Sequence, residues 1–370
     1  MFSLYLHIPF CVRKCLYCDF LSGVYSEEAK EAYVKAMLRE LKQEADYYKN
    51  RTVDTVFFGG GTPTLLSKEQ LTRLMDSLYR NYRLSKQAEI SMEMNPGTAD
   101  TEKLTCMYEL GINRLSIGLQ STEDRLLRKL GRIHSYEQFE KIYKTARKIG
   151  FSNINIDVMS ALPGQTTEAY ERTLQTVLSL EPEHISAYSL IIEEGTYFAQ
   201  HAGELELPQE EEERRMYYLT GEVLGRAGYE RYEISNYAKK GYACRHNLAY
   251  WKRTDYAGFG IGAASLVDGV RWSNVRDFKQ YLTGQHRKEQ VEALSCEAAM
   301  EEFMFLGLRC MEGILPEQFF RQFGRKLETV YGSRIDVLKA QGLLQWCGNR
   351  LCLTARGIDV SNYVFEQFLL

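Results

Sequence analysis

An α/β fold with a mostly parallel sheet is predicted by three observations. Strand-like and helical patterns alternate for about the first 195 residues. The predicted strands are short, apolar and rich in β-branched and aromatic residues, as buried parallel strands are. Six β/α units need right-handed crossovers, and an eight-unit barrel normally needs more chain than this. The expectation is an incomplete (β/α)6 barrel, followed by an α+β extension and a small winged-helix-like C-terminal domain.

The strands are expected at Met1–Ile8, Thr52–Phe58, Glu89–Glu93, Asn113–Gly118, Asn153–Met159 and His184–Leu190. Between them, Ser26 reads as the N-cap of a long amphipathic helix carrying Tyr33, Met37, Leu38, Leu41, Ala45 and Tyr48. Ser67 and Gln70 form a capping box ahead of Leu71, Leu74, Met75 and Leu78. Further helices are expected near 101–110, ending at Gly111, and near 123–130, 136–149 and 168–178. After residue 195 the alternation stops. Glu210–Glu213 open a helix running to about Arg226, Tyr229–Tyr237 reads as extended, and Leu266–Trp272 as a hairpin around Asp268-Gly269. From about Leu294 the pattern is helical, closing with a small β-wing. The expected domains are therefore 1–195, 196–293 and 294–370.

Composition narrows the function. Among 370 residues, 45% are hydrophobic and 26% charged, and the net charge is −3. The basic excess that nucleic-acid binding demands is missing, even though winged helices often bind DNA. No apolar run approaches a membrane span, and no signal-peptide order is present. Nine cysteines, an odd and scattered set, suit a reducing cytoplasm rather than a disulfide framework. Cys106 and Cys310 read as core residues. Cys347 and Cys352 flank a turn, with no disulfide expected.

Cys11, Cys15 and Cys18 stand apart. Their CxxxCxxC spacing directly follows the first strand. Three thiolates this close can hold three irons of a [4Fe–4S] cluster and leave the fourth iron open. Zinc is the alternative, but structural zinc wants a second pair of ligands that the sequence lacks.

With Tyr5-Leu6-His7-Ile8-Pro9-Phe10-Cys11, this motif resembles the radical S-adenosylmethionine (SAM) superfamily, in the branch of the oxygen-independent coproporphyrinogen III oxidases (HemN) and the HemW haem chaperones. The resemblance covers nearly the whole chain. It implies an incomplete barrel, a [4Fe–4S] cluster and SAM as cofactors, and reductive cleavage of SAM to methionine and a 5′-deoxyadenosyl radical. It makes Gly60, Gly61 and Thr62 a site for the SAM amino group, and gives Tyr5 a SAM contact. Glu93, Gln120, Arg132 and Asp157 map onto SAM-binding positions. Asp157 and Glu93 would take ribose hydroxyls or the amino group, and Arg132 the carboxylate. Tyr17 would shield the cluster, pack on adenine, or simply pack. Taken alone, each of these residues reads equally well as an ordinary turn, core or surface position.

Three features separate the two types. The oxidases carry a further cysteine two residues after the third ligand, where this chain has Phe20. They also have an extension before the first strand, whereas this chain starts at the strand. Finally, Arg245-His246-Asn247-Leu248-Ala249-Tyr250-Trp251 contains the HNxxYW motif of the HemW type. His246 is the expected axial haem ligand, favoured over His7, His134, His184, His201 and His286, with Tyr250 and Trp251 stacking on the porphyrin. His7 is placed to orient the cluster loop. The expected partners are haem, haem-accepting proteins and an electron donor, in the cytoplasm. Coproporphyrinogen III oxidation is the alternative activity, and a zinc- or DNA-binding module a third class.

Overall fold

The structure is a computed structural model describing residues 1–284 and 288–370. His286 lies outside the described residues. Six strands, β1 (Ser3–Ile8), β2 (Thr52–Gly60), β3 (Arg83–Met94), β4 (Arg114–Gln120), β5 (Ile154–Ser160) and β6 (His184–Ser189), lie side by side in that order. All five neighbouring pairs are parallel. β3 is longer than its apolar run. Its first residues, Arg83 and Leu84, pair with Thr52 and Val53 before a register shift, and the polar Ser85-Lys86-Gln87 stretch hides this part of the strand from a hydrophobic pattern.

The helices form where their caps and stripes place them. The Ser26 side chain accepts from the Ala29 amide at the start of helix 27–48. Complete capping boxes, Ser67 with Gln70 and Ser135 with Gln138, open helices 68–81 and 136–149. Each helix lays its apolar stripe on the sheet, giving one cluster with Leu4, Leu6, Val56, Phe58, Ile117, Ile156, Leu74 and Phe139 fully buried.

The chain beyond residue 195 adds strands to both edges of the same sheet. β7 (Glu230–Arg231) and β8 (Asn236–Ala238) form a short antiparallel pair, and β8 pairs with β6. The stretch expected to be one extended run, Tyr229–Tyr237, is thus two short strands and a turn. β9 (Tyr256–Phe259) is parallel to β1. β10 (Ala264–Val267) and β11 (Val270–Asn274) form the hairpin, with Asp268 and Gly269 both at positive φ as a tight two-residue turn demands. β12 (Lys288–Ala293) completes a twelve-stranded sheet with two free edges, β12 and β7. The barrel is open.

The sheet and its core thus run on past residue 195. The main core runs on through Met216, Leu224, Tyr237, Phe259, Trp272 and Tyr281. The buried Glu40 carboxylate of helix 27–48 ties the two parts together. It accepts from the Gly260 amide at 3.0 Å, the Asn274 amide at 2.5 Å and the Tyr281 hydroxyl at 2.6 Å. Residues from Met300 to Phe368 form a cluster of their own, built of helices 296–309, 316–323 and 327–340 and the hairpin β13 (Leu344–Cys347) and β14 (Arg350–Leu353). Cys347 and Cys352 are free. Among the described residues, no helix is long and apolar enough to cross a membrane.

Burial pushes the Glu40 carboxyl up to about 7, against the lowering effect of its three hydrogen bonds. A raised carboxyl pKa makes the fold hold a proton that the unfolded chain releases. That contribution is fully present below about 4.5 and is lost as pH rises to about 7. We expect the stability of Glu40→Gln relative to wild type to climb between pH 5 and 7, by a total on the order of 3 kcal/mol, and to level off above pH 7. Thermal unfolding of both proteins from pH 5 to 8 tests this; a pH-independent gap would exclude Glu40 as the titrating group.

Candidate cofactor site

Cys11, Cys15 and Cys18 lie in the loop after β1 and border one cavity of about 430 Å³ at the C-terminal ends of the parallel strands. This is where parallel α/β sheets place ligands. The loop is fastened from several sides. The Cys11 amide donates to the Gly23 carbonyl at 2.8 Å, and Gly23 returns a bond to Pro9 at 2.8 Å. The Leu16 amide donates to Leu130 at 3.0 Å, and the Phe198 amide to Leu16 at 3.0 Å. His7 adds a further tie. Its Nε2–H donates to the Leu21 carbonyl at 2.8 Å, so its Nδ1 accepts from the Tyr5 hydroxyl at 3.1 Å. His7 therefore joins β1 to the far end of the cysteine loop.

The end of β2 presses on that loop. The Gly61 amide donates to Ile8 at 2.8 Å and the Thr62 amide to Phe10 at 2.7 Å. A Cβ on Gly60, whose φ is +110°, would stand 2.5 Å from the His7 ring; one on Gly61 would stand 2.6 Å from the Phe10 carbonyl oxygen. The glycines line the cavity, but what requires them is the close approach of the two backbones.

Charged and polar groups converge from the other strand ends. Glu93, on β3, accepts from the Gly60 amide at 3.1 Å. Burial, then the nearby Asp157, push its carboxyl up to about 7. Asp157, on β5, accepts from Asn155 at 2.6 Å; burial raises it too, offset in part by Asn155, Tyr188, Ser186 and Arg114. Gln120 ends β4 at φ 72°, with its Oε1 buried and without a partner. Left-handed backbone at a non-glycine residue costs about 1–3 kcal/mol and is tolerated where function needs it. Arg132 donates through Nη2 to Asn95 Oδ1 at 2.9 Å and to the Gly118 carbonyl at 2.5 Å. Its Nη1 points at Cys15 Sγ, 3.7 Å away, and its Nε has no partner. Tyr17 lines the cavity, and burial raises its hydroxyl pKa.

The donor set fits an iron–sulfur cluster. Three cysteine thiols border one cavity, and in a [4Fe–4S] cubane each such sulfur holds a different iron. Donors face two of the sulfurs: Arg132 at Cys15, and the Thr62 hydroxyl 3.9 Å from Cys11 Sγ. Burial pushes the Cys18 thiol up to about 11, so metal binding must expel its proton. The orphaned Gln120 Oε1 and Arg132 Nε, with two carboxyls raised by burial, fit a ligand carrying an ammonium, hydroxyls and a carboxylate.

Two expected residues stand elsewhere. Tyr5 does not line the cavity; its ring and the Glu93 carboxyl lie 3.1 and 3.2 Å from where a Gly59 Cβ would stand, and its hydroxyl donates to His7. His246, in helix 245–251, is 1% exposed. Its Nδ1 is 2.8 Å from Thr55 Oγ1, whose hydroxyl already donates to Ser3, so Nδ1 is the donor. Nε2 then accepts from the Tyr250 hydroxyl at 3.0 Å, and the ring stacks on Phe57 at 5.0 Å. The lone pair that an iron would need is already capped. As placed, the His246 imidazole is a satisfied core group. Conversely, Asn95, Ser116 and Tyr188 line the cavity without having been singled out. Asn95 had a signal: it follows the end of β3 as Thr62 follows that of β2.

An open α/β barrel with three loop cysteines facing buried polar groups at the strand ends defines a radical SAM protein, and the radical SAM superfamily profile matches residues 5–177. The HemN C-terminal domain profile matches residues 294–360. The chain is 39% identical to the haem chaperone HemW of Bacillus subtilis, over 100% of this chain and 99% of that protein. It is 36% identical to the HemW of Escherichia coli, over 99% and 98%. The chain belongs to the HemW family of haem chaperones. Its fold also matches the crystal structure of the coproporphyrinogen III oxidase HemN from Escherichia coli, at a TM-score of 0.87 and 26% identity, over 100% of this chain and 90% of that one.

His246→Ala should leave the Tyr250 hydroxyl without its acceptor and remove the donor to Thr55, lowering stability by about 1–3 kcal/mol. Denaturant unfolding measures this; an unchanged midpoint would mean the imidazole is not held as described. Gly60→Ala should displace His7 and lower the iron and sulfide content after anaerobic reconstitution, and full loading would contradict the packing argument.

Proposed function

We propose that this protein is a haem chaperone that holds a [4Fe–4S] cluster and SAM in the strand-end cavity, binds haem, and inserts it into haem-dependent proteins. The full-length likeness to HemW chaperones carries the haem reading. The cavity supports the cofactor reading. Cys11, Cys15 and Cys18 would hold the cluster, and the open iron would be left to SAM. When bound, the two groups supply one-electron reductive cleavage chemistry. The chain's own residues bind and orient. The Gly60–Thr62 edge and Glu93 face the amino group, Asp157 takes ribose hydroxyls, Gln120 offers its free Oε1, and Arg132 holds the carboxylate. Tyr17 shields the cluster from water. An electron donor must reach the cluster from outside, and the exposed edge of the loop at Val12 and Phe20 leaves it room. Free, partly exposed cysteines such as Cys296 and Cys347 support a reducing cytoplasm.

The oxidase reading is the weaker one. Phe20 lines the cavity and is 60% exposed, where the oxidases are expected to carry a cysteine. Product analysis decides between the two. Anaerobic incubation of reconstituted protein with coproporphyrinogen III, SAM and reductant should yield no protoporphyrinogen, while haem-loaded protein should restore activity to a haem-free acceptor enzyme. Protoporphyrinogen formation would overturn the chaperone reading.

Two further outcomes are expected. Cys15→Ala should lose the brown chromophore after reconstitution, and retention would refute the ligand assignment. SAM affinity should rise from pH 6 to 8. A ligand that donates to the Glu93 carboxylate favours its anion, which forms as pH passes about 7. Calorimetric titration across that range measures it, and Glu93→Gln should flatten the profile.

A further inference from the structure

A haem carrier needs one side chain that can lend a lone pair to the iron without unfolding. Among the described residues, few imidazoles meet that need. His7, His184 and His246 are buried with both ring nitrogens engaged. His134 is 5% exposed, and both of its ring nitrogens are buried, so an iron could reach neither without opening the fold. His201 differs. It follows the short helix Tyr197–Gln200 and is half-buried at the surface. Its Nδ1–H donates to the Tyr197 carbonyl at 2.9 Å. Nε2 is therefore the bare nitrogen, and no hydrogen bond reaches it among the described residues. A backbone carbonyl on Nδ1–H is the arrangement that fixes the tautomer and raises the basicity of a metal-binding imidazole.

The surroundings orient that ring. It stacks on Tyr197 with ring centres 3.9 Å apart and planes 18° from parallel. The helix is capped by Thr196, whose side chain accepts from the Ala199 amide at 3.1 Å. It is pinned to the cysteine loop by the Phe198–Leu16 hydrogen bond, and the Phe198 side chain is buried. Next in the chain come the exposed Ala202 and Gly203, and nothing lies within 4 Å of where a Cβ on Gly203 would stand. Ile191, Tyr197 and Leu207, on the same segment, are exposed large apolar residues. Glu204 and Glu206 are exposed nearby, so a porphyrin's carboxylate edge has to face away from them.

We propose that His201 Nε2 is an axial ligand of the carried haem, with Tyr197 as the stacking partner that orients the imidazole. The proposal rests on the haem-chaperone reading and adds its site. The test is a titration of full-length, cluster-loaded protein with ferric haem, read by difference absorbance and by the electron paramagnetic resonance of the haem iron. Wild type should show an imidazole-ligated spectrum. His201→Ala should lose that spectrum and bind haem at least tenfold more weakly, with added imidazole restoring the spectrum. Circular dichroism and iron content should match wild type. If wild type binds haem and His201→Ala gives the same spectrum and affinity, the site assignment falls while the chaperone reading stands. A wild type that binds no haem overturns both.

Discussion

The site depends on how closely the end of β2 lies against the Pro9–Cys11 backbone. Two backbone hydrogen bonds, from Gly61 to Ile8 and from Thr62 to Phe10, hold that approach. It leaves no room for a Cβ at either glycine. His7 fills the space under Gly60 and reaches across to Leu21. The loop that carries the cysteines is thus clamped between a strand end and an imidazole. Its three thiols border a preformed cavity rather than a mobile segment. Preorganisation of this kind spares a bound cofactor the entropy of ordering its own ligands.

The cavity's second property is electrostatic. Glu93 and Asp157 are both half-buried, and desolvation raises each, with Asp157 adding to the rise at Glu93. Arg132 is held by Asn95 and the Gly118 carbonyl, with one nitrogen left over. A protein interior built only for stability would not keep such groups part-satisfied, because an unmet buried hydrogen bond costs about 1–3 kcal/mol. The fold tolerates that cost at the ends of β3, β4 and β5, where the surrounding sheet over-determines the backbone.

Most of the fold was legible in the sequence, because its signals are local. Caps, Gly turns and apolar runs located the six parallel strands and the helices between them, and CxxxCxxC is itself a local pattern. Lost from view was whatever depends on distant partners. The sheet continues past residue 195 because β9 pairs with β1, and no local signal announces a strand partner 250 residues away. His246 looked like a ligand because its motif names it; its burial depends on Thr55 and Tyr250 filling its two valences. His201 ranked below His246 because its tautomer is set by a carbonyl one helical turn back, which only coordinates display.

An open barrel carries a hazard that a closed one avoids. Each free strand presents a row of amide and carbonyl groups to any passing chain. At the β12 edge, Lys288, Gln290 and Glu292 are exposed, interleaved with the half-buried Glu289 and the exposed Val291. The backbone at Gln290 turns to φ 52°, which breaks the regular line of hydrogen-bonding groups that a docking strand would need. The unsealed side of the sheet can therefore stay open without offering a template for stacking one copy of the protein on another.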